Sequence, residues 1–145
     1  MARMLDDIQA MIRGEAPPPP IATLIGFRLH AIEPGRAVID FEADARHANP
    51  MGTLHGGVLC DIADAAMGMA FGATLDEGES FTTLELKINF LRPIWNARLR
   101  AVASVVKRGR TIGLVECDVF DEQQQLVARS SATQMALRGD QARRQ

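Results

Sequence analysis

Gly57-Val58-Leu59-Cys60-Asp61-Ile62-Ala63-Asp64-Ala65-Ala66-Met67-Gly68-Met69-Ala70-Phe71-Gly72-Ala73-Thr74 is apolar on nearly every side of a helical wheel. That distribution predicts a helix enclosed all round rather than one with a solvent face. At 1.5 Å per residue it would be about 27 Å long. Beyond Thr74 the period changes. Over residues 81–91, Thr82, Leu84, Leu86, Ile88 and Phe90 alternate with Thr83, Glu85, Lys87 and Asn89, the two-residue repeat of a strand with one buried face. Residues 97–107, 111–120 and 126–137 read as further strands, joined at Arg108-Gly109-Arg110 and Asp121-Glu122-Gln123. Strands of about ten residues extend about 33 Å, enough to run the length of the helix and curl round it. The expected class is α+β, with a long central helix wrapped by a curved antiparallel sheet.

Upstream, residues 27–32 and 36–42 suit strands, and Pro34-Gly35 between them is a turn signal. Residues 46–57 hold His47, Asn49, Pro50, Gly52, Gly56 and Gly57, too many breakers for a regular element. Met4, Ile8, Met11 and Ile12 share one face of a short helix that ends at Gly14. Pro17 to Pro20 cannot continue a helix and form a stiff spacer. The domain is therefore expected over residues 21–137, with helix and spacer over 1–20 and a tail over 138–145.

The chain has 145 residues, 47% hydrophobic and 23% charged, which fits one soluble domain with a real core. Asp61 and Asp64 interrupt the longest apolar run, so no membrane span of roughly 18 uninterrupted apolar residues exists. Asp6, Asp7 and Arg13 break up any signal-like pattern, and a cytoplasmic location is the expectation. A net charge of −2, with no Tyr, one Trp and no basic tail, argues against nucleic acid as a partner. Cys60 and Cys117 lie in apolar segments without metal-ligand spacing and read as buried free thiols.

Two features carry chemistry. Gly56-Gly57 at the helix entry lets another group approach the backbone, and the first helical turn has N–H groups without helical partners. A thioester or ester carbonyl placed there would be polarised by those groups and by the helix dipole. The alternative is that Thr53 or water caps the helix and the glycines only permit tight packing. Asp61 and Asp64 are the only charges between residues 57 and 74. Asp61, near the first turn, suits the helix dipole. Asp64 lies two turns in, so it either meets polar partners across an interface or serves as base or nucleophile in a cleft. His30, His47 and His55 form no metal spacing with the acids, so no metal site is expected. There is no Gly-x-Ser-x-Gly elbow, and Cys60 has no cationic neighbour in sequence to activate it.

Asn49, then His55-Gly56-Gly57, then Asp64 nine residues past His55, resembles the signature of the hotdog-fold acyl-CoA thioesterases of the phenylacetate-degradation (PaaI-like) branch, related to 4-hydroxybenzoyl-CoA thioesterases. The resemblance covers residues 21–137. It implies hydrolysis of an acyl-CoA to a carboxylic acid and CoA, with no cofactor beyond the substrate's own CoA. Asp64 would be the catalytic carboxylate, activating water or attacking directly. Gly56 would supply a backbone N–H to the carbonyl, beside Gly57. Asn49 would orient the water or acyl group, His55 would support the loop or contact the thioester, and Thr83 would stand near the nucleophilic water. The resemblance also implies a homodimer with sites shared between subunits, commonly paired into a homotetramer.

Charge patterning bears on the nucleotide. Residues 87–110 contain Lys87, Arg92, Arg98, Arg100, Lys107, Arg108 and Arg110 but no acid, so this segment is +7 and the rest of the chain −9. Such a patch could hold the CoA phosphates, and Arg92, Lys107, Arg108, Arg110 and Thr111 are the candidate contacts. The alternative is solvated strand ends that discourage edge pairing. Two other classes stay open: a non-catalytic acyl-CoA sensor, and a hotdog hydratase or dehydratase, which would need a His and acid pair aimed at a C–H bond.

Overall fold

A computed structural model describes residues 3–144. Two short helices, α1 (Met4–Ile12) and α2 (Pro20–Ile25), precede a hairpin of β1 (Phe27–Glu33) and β2 (Arg36–Ala43). A 3-10 turn at Ala45–His47 leads to the central helix α3 (Gly56–Gly72). The strands β3 (Ser80–Phe90), β4 (Ala97–Arg108), β5 (Ile112–Phe120) and β6 (Leu126–Leu137) come next, and α4 (Asp140–Arg143) ends the described chain. All six strands form one antiparallel sheet in the order β1-β2-β4-β5-β6-β3. This is the expected α+β hotdog arrangement: the sheet wraps one side of α3, and the core lies between them.

Alternation builds that core. Ile39 and Phe41 of β2, Leu99, Ala101 and Ala103 of β4, and Val115, Cys117 and Val119 of β5 point inward onto Ile62, Ala66, Met67, Ala70 and Phe71 of α3. Small residues on the inner face of β6, Ala128, Ala132 and Ala136, complete the layer. Burying large apolar side chains stabilises the fold by about 1.5–3 kcal/mol each, so Ile39, Phe41, Leu99, Val115 and Val119 fix the sheet register on the helix.

Three expectations change. The helix is not enclosed all round within one chain: Gly57 and Asp64 are exposed and Cys60, Asp61 and Ala65 half-buried, so a stripe along α3 faces away from its own sheet. Pro20 is the first residue of α2 rather than the end of a spacer, because proline's fixed φ and missing N–H suit the first helical position. Residues before 21 also belong to the compact body. Ile8 is buried at 2% exposure, Met4 packs against the core, and Arg3 Nε donates to the Leu75 carbonyl at 3.3 Å.

A β-bulge also moves a candidate residue. β3 pairs with β6 in register up to Thr83↔Gln134 and resumes at Glu85↔Thr133, leaving Leu84 as the bulge. The bulge turns Leu84 out to 52% exposure and places Thr83 on the α3 side, while Leu86 and Ile88 still pack inward. Thr83, assigned by alternation to the polar face, therefore lies against the helix.

Candidate active site

The loop before α3 is organised by Asn49. Its Oδ1 accepts the N–H groups of Met51 (2.9 Å) and Thr53 (3.2 Å), and its Nδ2 donates to Thr53 Oγ1 at 2.8 Å. Gly52, at φ +91°, takes the left-handed position that closes this turn. A second anchor is His47, whose Nδ1 accepts the Asp44 N–H at 3.1 Å while Nε2 sits 2.9 Å from the Ile25 carbonyl. A carbonyl can only accept, so the Nε2–H tautomer is the one that fits both partners. The Phe41 ring stands edge-on to this imidazole, with centroids 4.8 Å apart.

These anchors deliver the chain to His55, the N-cap of α3. His55 Nδ1 accepts the Gly57 N–H at 2.8 Å, so His55, not Thr53, caps the helix. The Gly57 donor is thereby committed. Among the described residues the Gly56 N–H finds no acceptor, leaving it as the free donor at the positive end of the helix. Gly56 lines a cavity of about 420 Å³ together with Asn49, Thr53, Leu59, Phe90 and Arg92.

The carboxylates lie further along. Asp64 Oδ1 is 3.3 Å from Thr83 Oγ1, and Thr83 Oγ1 is 2.9 Å from Oε1 of Gln134, which is fully buried on β6. Solvent still reaches the Asp64 side chain, yet close packing around the carboxyl makes desolvation the largest influence, and it pushes the pKa upward. The Thr83 hydroxyl opposes that shift, and Asp61 adds to it. Asp61 is also raised by desolvation. Cys60 is held in its thiol form by desolvation and by the two aspartates, and burial pushes Cys117 up to about 12. Both cysteines are free, and neither is a nucleophile at neutral pH.

Within one chain the candidates fall into two groups. Gly56, Asn49 and Arg92 share the cavity at the α3 N-terminus, and Asp64 joins Thr83 in the middle of the helix. Asp64 lies eight positions after Gly56, about 12 Å along the axis and about 80° round it. The basic candidates divide too. Arg108 lies under the far end of α3, with Nε donating to Thr74 Oγ1 at 2.9 Å and its guanidinium 4.7 Å from the Phe71 centroid. Thr111 and the Arg110 carbonyl accept from Arg138, while Lys107 remains exposed. No cluster of three or more His, Cys, Asp or Glu that could hold a metal occurs among the described residues. Nor is any described helix long and apolar enough to cross a membrane.

Sequence reasoning missed Gln134 and Phe90 as site residues. Gln134 had a signal: it is the one long polar side chain among Ala128, Ser130, Ala132 and Ala136 on the inward positions of β6.

Comparison with known proteins places this geometry. The family model described as the thioesterase superfamily matches residues 51–128, from the turn before α3 into β6. A phenylacetic acid degradation-related protein of Ralstonia eutropha superposes with a TM-score of 0.81 at 35% identity, covering 88% of this chain and 98% of that one. A mutant of the phenylacetic acid degradation protein PaaI of Thermus thermophilus gives 0.75 at 29% identity, over 81% and 97% of the two chains. The 1,4-dihydroxy-2-naphthoyl-CoA hydrolase of Listeria monocytogenes is 28% identical over 109 residues, 75% of this chain and 89% of that protein. With the α3 entry and Asp64 both inside the matched segment, the chain belongs to the thioesterase superfamily and is a hotdog-fold thioesterase.

Proposed function

We propose that the protein hydrolyses an acyl-CoA thioester to a carboxylic acid and free CoA, in active sites shared by two copies of the chain. The observation that carries this reading is the separation of Gly56 and Asp64 on one helix. A carbonyl held by the Gly56 N–H is out of reach of the Asp64 carboxylate of the same chain. A second copy whose α3 runs antiparallel across the open stripe of Gly57, Asp61 and Asp64 brings the two together. The free edge of β3, with Leu84 and Phe90 exposed beside Leu91 and Trp95, supplies an apolar margin for that pairing. A homotetramer then arises by pairing of dimers.

The groups present dictate the chemistry. The thioester oxygen accepts the Gly56 N–H, which polarises the carbonyl carbon. Asp64, oriented by Thr83, takes a proton from water as the water oxygen adds to that carbon. The tetrahedral oxyanion is held by the same N–H and by the helix dipole. It collapses with cleavage of the C–S bond, and the CoA thiolate leaves and is protonated. A thiolate is a good leaving group, so a carboxylate base suffices. Asn49 holds the loop that aims Gly56, and His55 fixes Gly57 out of the reaction path. Arg92, at the cavity rim, holds CoA phosphate.

The test is a thiol-release assay over short, medium, long and aromatic acyl-CoAs. Asp64→Asn is expected to lose turnover by about 10³-fold, and Asp61→Asn to stay within a few-fold of wild type. Equal turnover by both variants and wild type would remove the assignment.

A further inference from the structure

Gln134 is wholly buried on the inner face of β6 among small residues, and its Nε2 has no hydrogen-bond partner among the described residues. An unsatisfied buried amide is unfavourable, and a hydrophobic side chain would fit the surrounding apolar layer better. Its position is set by the sheet: Gln134 pairs with Thr83 on β3 and with Gly113 on β5. Thr83 Oγ1 in turn stands 2.9 Å from Gln134 Oε1 and 3.3 Å from Asp64 Oδ1. A hydroxyl has one proton and cannot donate it to both oxygens.

We propose that Gln134 is a positioning residue for Asp64, acting through Thr83, and that rotation of its amide matches the Thr83 hydroxyl to either protonation state of the carboxylate. This rests on the reading of Asp64 as the reactive base. The amide nitrogen and oxygen exchange places when the amide plane rotates by 180°. With Asp64 ionised, Gln134 Nε2–H donates to Thr83 Oγ1 and the Thr83 hydroxyl donates to the carboxylate. After Asp64 takes the proton from water, the carboxylic acid donates to Thr83 Oγ1 and the Thr83 hydroxyl donates to Gln134 Oε1. Only a group carrying both a donor and an acceptor completes the chain in both states. Leucine or methionine completes neither, and asparagine is one methylene too short.

Cys60 and Asp61, on the same helix, are the titratable neighbours that act with Asp64. From β3 the group that meets it is the uncharged Thr83, since Glu85 is engaged with Thr133 on the other face of the sheet. From β6 it is the neutral Gln134.

The decisive experiment tracks the Gln134 side-chain amide by 15N–1H NMR in the full-length wild-type protein, assigned through its contacts with Thr83. Its two proton resonances should shift with pH at the midpoint of the acid limb of kcat and become pH-independent in Asp64→Asn. In kinetics, Gln134→Met should lower kcat about tenfold with KM within twofold. Loss of the donor behind Thr83 disfavours the ionised carboxylate, so the acid limb should move to higher pH. Thr83→Val should do the same, Thr83→Ser should retain the wild-type limb, and Gln134→Met added to Thr83→Val should cost nothing further. An amide that is flat across the limb, or multiplicative losses in the double variant, overturns the proposal. Wild-type turnover by Asp64→Asn would instead remove the underlying reading of Asp64, so the two failures are distinguishable.

Discussion

The ring of Phe90 lies directly over the backbone of Gly56: a Cβ placed there would stand 2.8 Å from Phe90 Cζ. The end of β3 thus forms one wall of the cavity at Gly56, and the absence of a side chain at 56 sets how closely the wall approaches. The atoms that would clash are the outer edge of the Phe90 ring, at the end of a side chain that can rotate rather than backbone. Gly56→Ala should therefore fold with a Tm within a few degrees of wild type while kcat falls about 10- to 100-fold, the range for disturbing one oxyanion donor. Adding Phe90→Ala, which removes the clash, should recover part of that loss. Calorimetry and the thiol-release assay on the single and double variants check both halves.

Desolvation of Asp64 makes a prediction about stability whose sign differs from that for activity. Its folded-state pKa lies above the usual carboxylate value, so the folded protein holds this proton more tightly than the unfolded chain. The stabilisation is complete below the unfolded pKa of about 4 and is lost as pH rises through the folded pKa. At pH 7 the folded chain carries an anion that packing disfavours. Asp64→Asn should then raise Tm at pH 7 relative to wild type, and the difference should vanish near pH 3. Paired thermal melts across that range test it. A lower Tm for the variant at neutral pH would show that Thr83 more than offsets the burial.

His47 is a fold-determining residue beside the site. Its imidazole joins the Asp44 N–H to the Ile25 carbonyl and packs on Phe41, tying α2 to the loop that delivers Gly56. His47→Ala removes both partners of buried or half-buried backbone groups together with an aromatic contact. Urea denaturation should show a loss of about 2–3 kcal/mol. His47→Gln, which retains a donor and an acceptor, should lose less.

The order of elements was legible because periodicity reports burial. The change from an apolar helix to alternating strands marks α3 and the sheet, and Leu126–Leu137 keeps its expected limits. Asp64 was legible as a charge where the pattern calls for an apolar residue. Thr83 was placed on the wrong face because a bulge adds one residue without altering the alternation of residue types, and only the β3–β6 register reveals the slip at Leu84. The open stripe on α3 was hidden for another reason: an apolar wheel does not say whether the covering surface is the chain's own sheet or another subunit. The His55 cap and the His47 bridge depend on ring orientation and on contact with Ile25 across 22 residues, which residue spacing alone does not encode.

Arg92 and Arg108 carry the same charge within one basic segment, yet their settings assign them different work. Arg92 lines the cavity with Gly56 and Asn49, half exposed, with Nε 3.9 Å from Asp121 Oδ2. Asp121 itself accepts the N–H groups of Gln123 and Gln125, each at 2.9 Å, so it is held by its own turn and does not depend on Arg92. On the proposed reading, the guanidinium turns from Asp121 to a CoA phosphate. Arg92→Ala should raise KM for acyl-CoA several-fold with kcat nearly constant, and it should weaken the salt dependence of kcat/KM. A thioester lacking the nucleotide should be hydrolysed equally by variant and wild type. Arg108, by contrast, hydrogen-bonds Thr74 and lies over the Phe71 ring beneath the end of α3. Arg108→Met keeps much of the packing but loses the cation–π contact and the hydrogen bonds to Thr74 Oγ1 and to the Gly109 and Arg110 carbonyls, together worth about 2 kcal/mol. Its effect should appear in denaturation, with KM unchanged. A large KM effect from Arg108→Met and none from Arg92→Ala would place the nucleotide at the opposite end of the helix, beside the β4–β5 turn.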